Sequence, residues 1–190
     1  MLKRIISYAH ELMAATIEPG ETVVDGTCGN GKDTLILSKL VGESGSVLAF
    51  DIQSQAINNT RTLLVTEGIN NVRLIQDDHQ HLAKYVEQEL HGKIGGAIFN
   101  LGYLPGSDKK VITTSTSTIK AIDTLSEYIK SGGLIILVVY HGHPGGEVER
   151  DALLEHLKKY EQKQFNVLQY GFINQRNSPP FILAIEKKYV

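Results

Sequence analysis

The sequence predicts an α/β fold built on a seven-stranded, mostly parallel sheet, with helices on both faces and a C-terminal antiparallel hairpin. Three observations carry this expectation. Strand-like and helix-like stretches alternate along the 190 residues. The strand-like runs are apolar continuously rather than at every second position, the pattern of parallel strands covered on both faces. The last two runs stand too close for a helix between them, so they must pair antiparallel.

Each element follows from its own pattern. Residues 2–17 set Ile5, Ile6, Ala9, Leu12, Met13 and Ile17 at helical spacing. "TVVDG" (22–26) is a short buried strand, and a helix follows over 32–41. "SVLAFDI" (46–52) is the second strand, and the helix over 54–68 stops at Gly68. "VRLIQ" (72–76) is the third strand, with a helix over about 79–90. "IGGAIFNL" (94–101) is the fourth, and 114–133 holds a helix capped by the Ser/Thr run at 113–118. "LIILVVYH" (134–141) is the most apolar strand. A helix over about 146–162 precedes the closing strands "FNVLQYGFI" (165–173) and "PPFILAIEKK" (179–188).

With 42% hydrophobic and 21% charged residues, the chain is expected to form one soluble domain over residues 1–190. A net charge of -2 gives no general attraction to polyanions, so nucleic acid must meet a local basic patch. Cys28 is the only cysteine, which leaves no internal disulfide and no cysteine-rich metal site; no metal is expected. The first residues lack the apolar run of a signal peptide and no segment reaches membrane-spanning length, so a cytoplasmic location is expected. The edge formed by the terminal strands could pair across a homodimer.

The stretch "VVDGTCGNGKDT" (23–34) crosses from the first strand to a helix, where open α/β sheets hold ligands. It admits three readings. A triphosphate loop needs Ser or Thr after Lys32, but Asp33 stands there, and Asp25 precedes the glycines; two carboxylates repel phosphates. A dinucleotide loop lacks its third glycine, since Thr34 occupies that position, although Asp51 at the end of the second strand suits a ribose hydroxyl. The third ligand, S-adenosylmethionine, carries an ammonium and a sulfonium and no phosphate. Asp25 favours it.

Later residues fit the same ligand. Asp77, Asp78 and His79 emerge at the end of the third strand, where an adenine would lie, although an aspartate there also serves as a helix cap. "FNLGYLPG" (99–106) sets Asn100, Tyr103 and Pro105 in a tight turn after the fourth strand, which a plain Gly/Pro turn would also produce.

The order D-G-T-x-G-N-G, F-D-I-Q, D-D-H and F-N-L-G-Y-L-P-G resembles the class I S-adenosylmethionine-dependent methyltransferases, with their Rossmann-like fold. More closely, with "YHGHPGG" and "NSPPFILAIEK" included, nearly the whole chain is similar to the YtqB-like (MnmM-type) family. That resemblance implies N-methylation of 5-aminomethyl-2-thiouridine at the wobble position of tRNA, with the anticodon loop as partner. Another RNA, such as rRNA, or a small-molecule amine is the alternative acceptor. The resemblance further implies that Gly26, Cys28, Asn30 and Gly31 wrap the methionine half of S-adenosyl-L-methionine. Asp51 would hold the ribose with Gln53 beside it, Asp78 and His79 would meet the adenine, and Asn100 would lie under the transferred methyl. The Asn-Leu-Gly-Tyr turn departs from the N-P-P-Y turn of amino methyltransferases at the two positions before Tyr103.

Catalysis by such a site rests on positioning and on removal of a proton. Asn100, or the backbone carbonyl of Leu101, is expected to aim the amine, Tyr103 to stack on the base, and His141 or His143 to act as base, although both histidines also suit hydrogen bonds within the Gly-Pro-Gly-Gly turn. His10, His91 and His156 fall on helices or their ends and read as solvated. Lys109, Lys110 and Arg176 are the expected phosphate contacts.

Overall fold

The computed structural model describes residues 1–102 and 113–189. Helix α1 (Ile5–Thr16) leads into β1 (Thr22–Asp25), α2 (Lys32–Val41), β2 (Ser46–Phe50), α3 (Ser54–Thr66) and β3 (Val72–Ile75). After two short 3-10 turns (His79–Lys84 and Gln88–Leu90) come β4 (Ile94–Leu101), α4 (Ser115–Tyr128), β5 (Ile129–Val139), α5 (Gly146–Leu157), β6 (Phe165–Tyr170) and β7 (Phe181–Lys187).

The seven strands form one sheet in the order β3-β2-β1-β4-β5-β7-β6. β1 to β5 are parallel; β7 runs antiparallel to β5 and to β6, so the chain passes the sheet edge and returns to fill the gap inside it. The expected hairpin is therefore present, with β7 as its inner strand. Strand order reverses between β1 and β4, the position at which loops diverge and leave a crevice.

Successive residues of each strand point to opposite faces; on the central strand β4 both faces are buried, whereas β6 at the edge is largely exposed. Val24, Phe50, Phe99 and Leu137 pack beneath α4 and α5, while Val23, Val47, Ile98 and Val138 pack beneath α1, α2 and α3. Phe50 and Phe99 are fully enclosed, each contributing up to about 3 kcal/mol through burial.

Several elements differ from the sequence expectation; α5 ends at Leu157, short of residue 162. The segment after Asp78 is not one helix. Only His79, Leu82 and Val86 are buried there, and the Tyr85 hydroxyl turns back to Asp77 at 2.7 Å, ending the first turn. β5 starts at Ile129, five residues early, because Ile129 pairs with Ile94 before a register shift leads to the Gly96–Leu134 pair. Among the described residues, no helix is long and apolar enough to cross a membrane.

Candidate active site

A cleft of about 970 Å³ opens over the ends of β1 and β4, where strand order reverses. The loop after β1 forms its floor, and five of that loop's amides already donate within the protein. Gly26 donates to Ile98 O (2.9 Å), Thr27 to Asp25 Oδ1 (3.1 Å), Cys28 to Phe50 O (2.8 Å), Gly29 to Asp51 Oδ2 (3.0 Å) and Gly31 to Cys28 O (2.7 Å). A phosphate would find these donors spent. Asp33, Asp51, Asp77 and Asp78 line the cleft against Lys32, so the cleft is electronegative and suits a cationic ligand. This donor and acceptor set fits S-adenosylmethionine and neither a triphosphate nor a dinucleotide.

The glycines of the loop serve different ends. A Cβ on Gly26 would stand 2.0 Å from the Phe99 ring, so the residue is small because the core ring passes beneath it. Gly31 caps α2 in a left-handed conformation (φ 83°), with Thr60 closing the space around it at 3.0 Å.

Several expected residues meet in the cleft: Gly26, Cys28, Asn30, Asp51, Gln53, Asp78, His79 and Asn100 all line it. Asp51 accepts the Gly29 and Gln53 amides, one on each oxygen, which fixes the carboxylate and leaves further lone pairs. Burial pushes its carboxyl up, opposed by those two amides. His79 donates from Nδ1 to Gly26 O (3.0 Å) and accepts the Ser117 hydroxyl at Nε2 (3.2 Å); burial lowers its pKa, so the ring is neutral. Asp78 caps the following turn by accepting the Gln80 amide at 2.9 Å, as an aspartate at a helix start does. Asp77 is held down at about 2 by hydrogen bonds from His81 and Tyr85. The Cys28 thiol is pushed far up by burial and then by Asp25, so it is protonated and no nucleophile.

Others stand elsewhere. Asp25 does not line the cleft: it is fully buried, accepting Thr27 N–H on one oxygen and the Thr34 hydroxyl on the other (2.6 Å), and so braces the loop from behind. Gly31 also stands behind the wall. His141 is turned out of the cleft. Its Nε2 donates to Pro179 O (3.1 Å), its Nδ1 accepts from Arg150 (3.5 Å) and its ring meets Phe181 edge-on, so it fastens the turn before β7 and has no nitrogen to spare as a base. Arg176 is exposed, one residue before Asn177 and Ser178, which do line the cleft. Tyr103, Lys109 and Lys110 lie outside the described residues.

Three residues escaped the sequence reading. His10 is not solvated but reaches from α1 to Asp33, donating from Nε2 at 2.7 Å. Asp33 also accepts the Asn100 amide, Nδ2 to Oδ2 at 2.5 Å. Tyr140, directly after β5, also lines the cleft. In the sequence, a carboxylate two residues beyond the loop glycines is the signal that points to Asp33.

The fold and cleft define a class I methyltransferase, the class that takes S-adenosylmethionine. A family model described as "Putative rRNA methylase" matches residues 47–186, and the chain belongs to that family. A second model, for protein-L-isoaspartate (D-aspartate) O-methyltransferase, matches residues 3–85, less than half the chain. An Arabidopsis thaliana protein named tRNA (mnm(5)s(2)U34)-methyltransferase, chloroplastic, is 39% identical over 161 residues. That alignment takes in 80% of this chain, which spans 58% of the length of that relative. A crystal structure of a "putative rRNA-methylase" from Clostridium thermocellum is 41% identical with a TM-score of 0.94, covering 98% of this chain and 99% of that one. A Streptococcus mutans "putative methyltransferase" solved with SAH is likewise 41% identical, with a TM-score of 0.89 over 98% of this chain and 99% of that one.

Proposed function

We propose that this chain, as one domain over residues 1–190, N-methylates the amino group of 5-aminomethyl-2-thiouridine at the wobble position of tRNA. The observation that carries the reading is the 39% identity to a relative named for that modified nucleoside, joined to a cleft lined by Asp33, Asp51, Asp77 and Asp78. When bound, S-adenosylmethionine supplies an electrophilic methyl on a sulfonium. Gly26, Cys28 and Asn30 border its methionine half, Asp51 and Gln53 its ribose, and Asp78 and His79 its adenine.

Asn100 stands at the end of β4 with its backbone N–H on Thr27 Oγ1 (2.7 Å) and its side-chain amide on Asp33. With Nδ2 occupied, Oδ1 is left to accept an amine hydrogen and aim the nitrogen lone pair, the positional control that an in-line displacement needs. Tyr140 offers a ring on which an extruded base stacks. Arg176 on the rim is suited to a phosphate beside that base.

The family description favours rRNA as the second reading. The test is to incubate the protein with labelled S-adenosylmethionine and total RNA from cells lacking its gene, then to resolve the methylated nucleosides by mass spectrometry. Label on an aminomethyl uridine of tRNA supports the proposal. Label confined to rRNA, or transfer to free amines alone, rejects it.

A further inference from the structure

Asp33 is a cleft carboxylate to which no direct cofactor contact is assigned above. It stands in the first turn of α2, its side chain 14% exposed, and it faces the cleft beside Asn100. His10 Nε2 donates to its Oδ1 at 2.7 Å and Asn100 Nδ2 to its Oδ2 at 2.5 Å. Two donors from two different elements fix the plane of the carboxylate, and its remaining lone pairs are free for a third partner. The same bond turns Asn100 Oδ1 away from Asp33. The pair thus presents two acceptors at the end of β4 where the substrate amine is to be methylated.

Titratable and charged groups stand around Asp33 on several elements. His10 comes from α1 and Lys32 precedes it in α2; Asp25 approaches from the end of β1 and Tyr140 from beyond β5. Burial and then the charge of Asp33 push Asp25 up to about 7 and raise Tyr140, so both hold their protons more firmly than usual. An alkylamine, like the lysine side chain, is protonated near neutral pH and then has no lone pair to give.

We propose that Asp33, held in place by His10 and Asn100, binds the substrate amine as its ammonium and takes one proton from it before methyl transfer. This rests on the amine acceptor proposed above. An N–H bond breaks and an O–H bond forms on Asp33, leaving a neutral amine. The amine nitrogen then forms the N–C bond as the S–C bond breaks, giving a methylammonium and a neutral thioether. Asp33 returns its proton to water as product leaves. Asp33 touches the reacting nitrogen and is catalytic in this scheme, whereas His10 is a positioning residue.

The test is the pH profile of single-turnover methylation by Asp33→Asn, an isosteric variant that still accepts from His10 but cannot take a proton. SAH affinity by calorimetry is measured alongside. Affinity should stay within about twofold of the wild type, while the rate near pH 7 falls about 100-fold or more, as loss of a general base does. The deficit should shrink towards about pH 9, where solution deprotonates the amine unaided. His10→Ala should lose about tenfold with the same trend, and His10→Gln, which keeps a donor, should recover most of that loss. A deficit equal at every pH, or a fall in SAH affinity matching the fall in rate, overturns the proposal. Should Asp33→Asn not fold, a His10→Ala deficit that shrinks with pH supports the proposal and a flat one overturns it. A wild-type protein inactive on aminomethyl-uridine tRNA at every pH instead refutes the acceptor on which the proposal stands.

Discussion

Replacing Gly26 by alanine separates two reasons for a glycine in a ligand loop. The added Cβ would lie 2.0, 2.2 and 2.7 Å from Cε1, Cδ1 and Cζ of Phe99, whereas carbon atoms rest about 3.5–4.0 Å apart. The ring must therefore retreat by about 1.5 Å. It has nowhere to go: Phe99 is fully enclosed and meets the edge of His79 with 5.4 Å between centroids, and His79 is tied back to Gly26 O. Overpacking of this kind costs about 3 kcal/mol, the upper part of the usual range, because core rather than solvent lies behind the ring. Phe99→Leu introduced with Gly26→Ala should relieve the clash, giving a coupling of about 2 kcal/mol in a double-mutant cycle. Urea denaturation of the four proteins measures it. If Gly26→Ala costs under about 0.5 kcal/mol while SAH affinity collapses, the glycine serves ligand approach and the packing argument is wrong.

Further outcomes follow from the same structure. Asp25 ionises near 3.8 when unfolded and is pushed up to about 7 by burial and by Asp33, so the folded state binds the extra proton between those values and loses stability as pH rises through them. Asp25→Asn should abolish that decline, its melting temperature gaining on the wild type from pH 5 to pH 8; a constant offset between the two melting curves would contradict the assignment. Asp51→Ala removes the acceptor of two loop amides and the proposed ribose ligand, so SAH should bind about 50-fold or more weakly by calorimetry. Arg176→Ala should weaken tRNA binding at low salt and flatten its log–log salt dependence by about one contact; an unchanged slope in fluorescence anisotropy would remove Arg176 from the RNA surface.

Strands were legible because parallel strands buried on both faces leave continuous apolar runs, and β4 begins and ends where its pattern does. The loop after β1 was legible as the floor of a cleft because its glycines and polar residues are concentrated in a few adjacent positions. Long-range partners were not. His10 and Asn100 meet at Asp33 across 23 and 67 residues, and no local pattern records that α1 lies over the end of β4. Asp25 read as a ligand contact because its charge was visible and its burial was not; Thr34 and Thr27 take both its oxygens. His141 read as a base from its position past a strand, and it lost that role to Pro179, whose approach depends on β7 returning between β5 and β6. Two short turns replaced a helix after Asp78 because a single side-chain bond, Tyr85 to Asp77, closes the first one.

The most direct test of the account uses two anticodon stem-loops that differ only at the wobble base, one with 5-aminomethyl-2-thiouridine and one with 2-thiouridine. Single-turnover methylation is followed on each with labelled S-adenosylmethionine. The first stem-loop should gain one methyl on its aminomethyl nitrogen and the second none. Equal labelling of both, or label on neither with SAH binding intact, would contradict it.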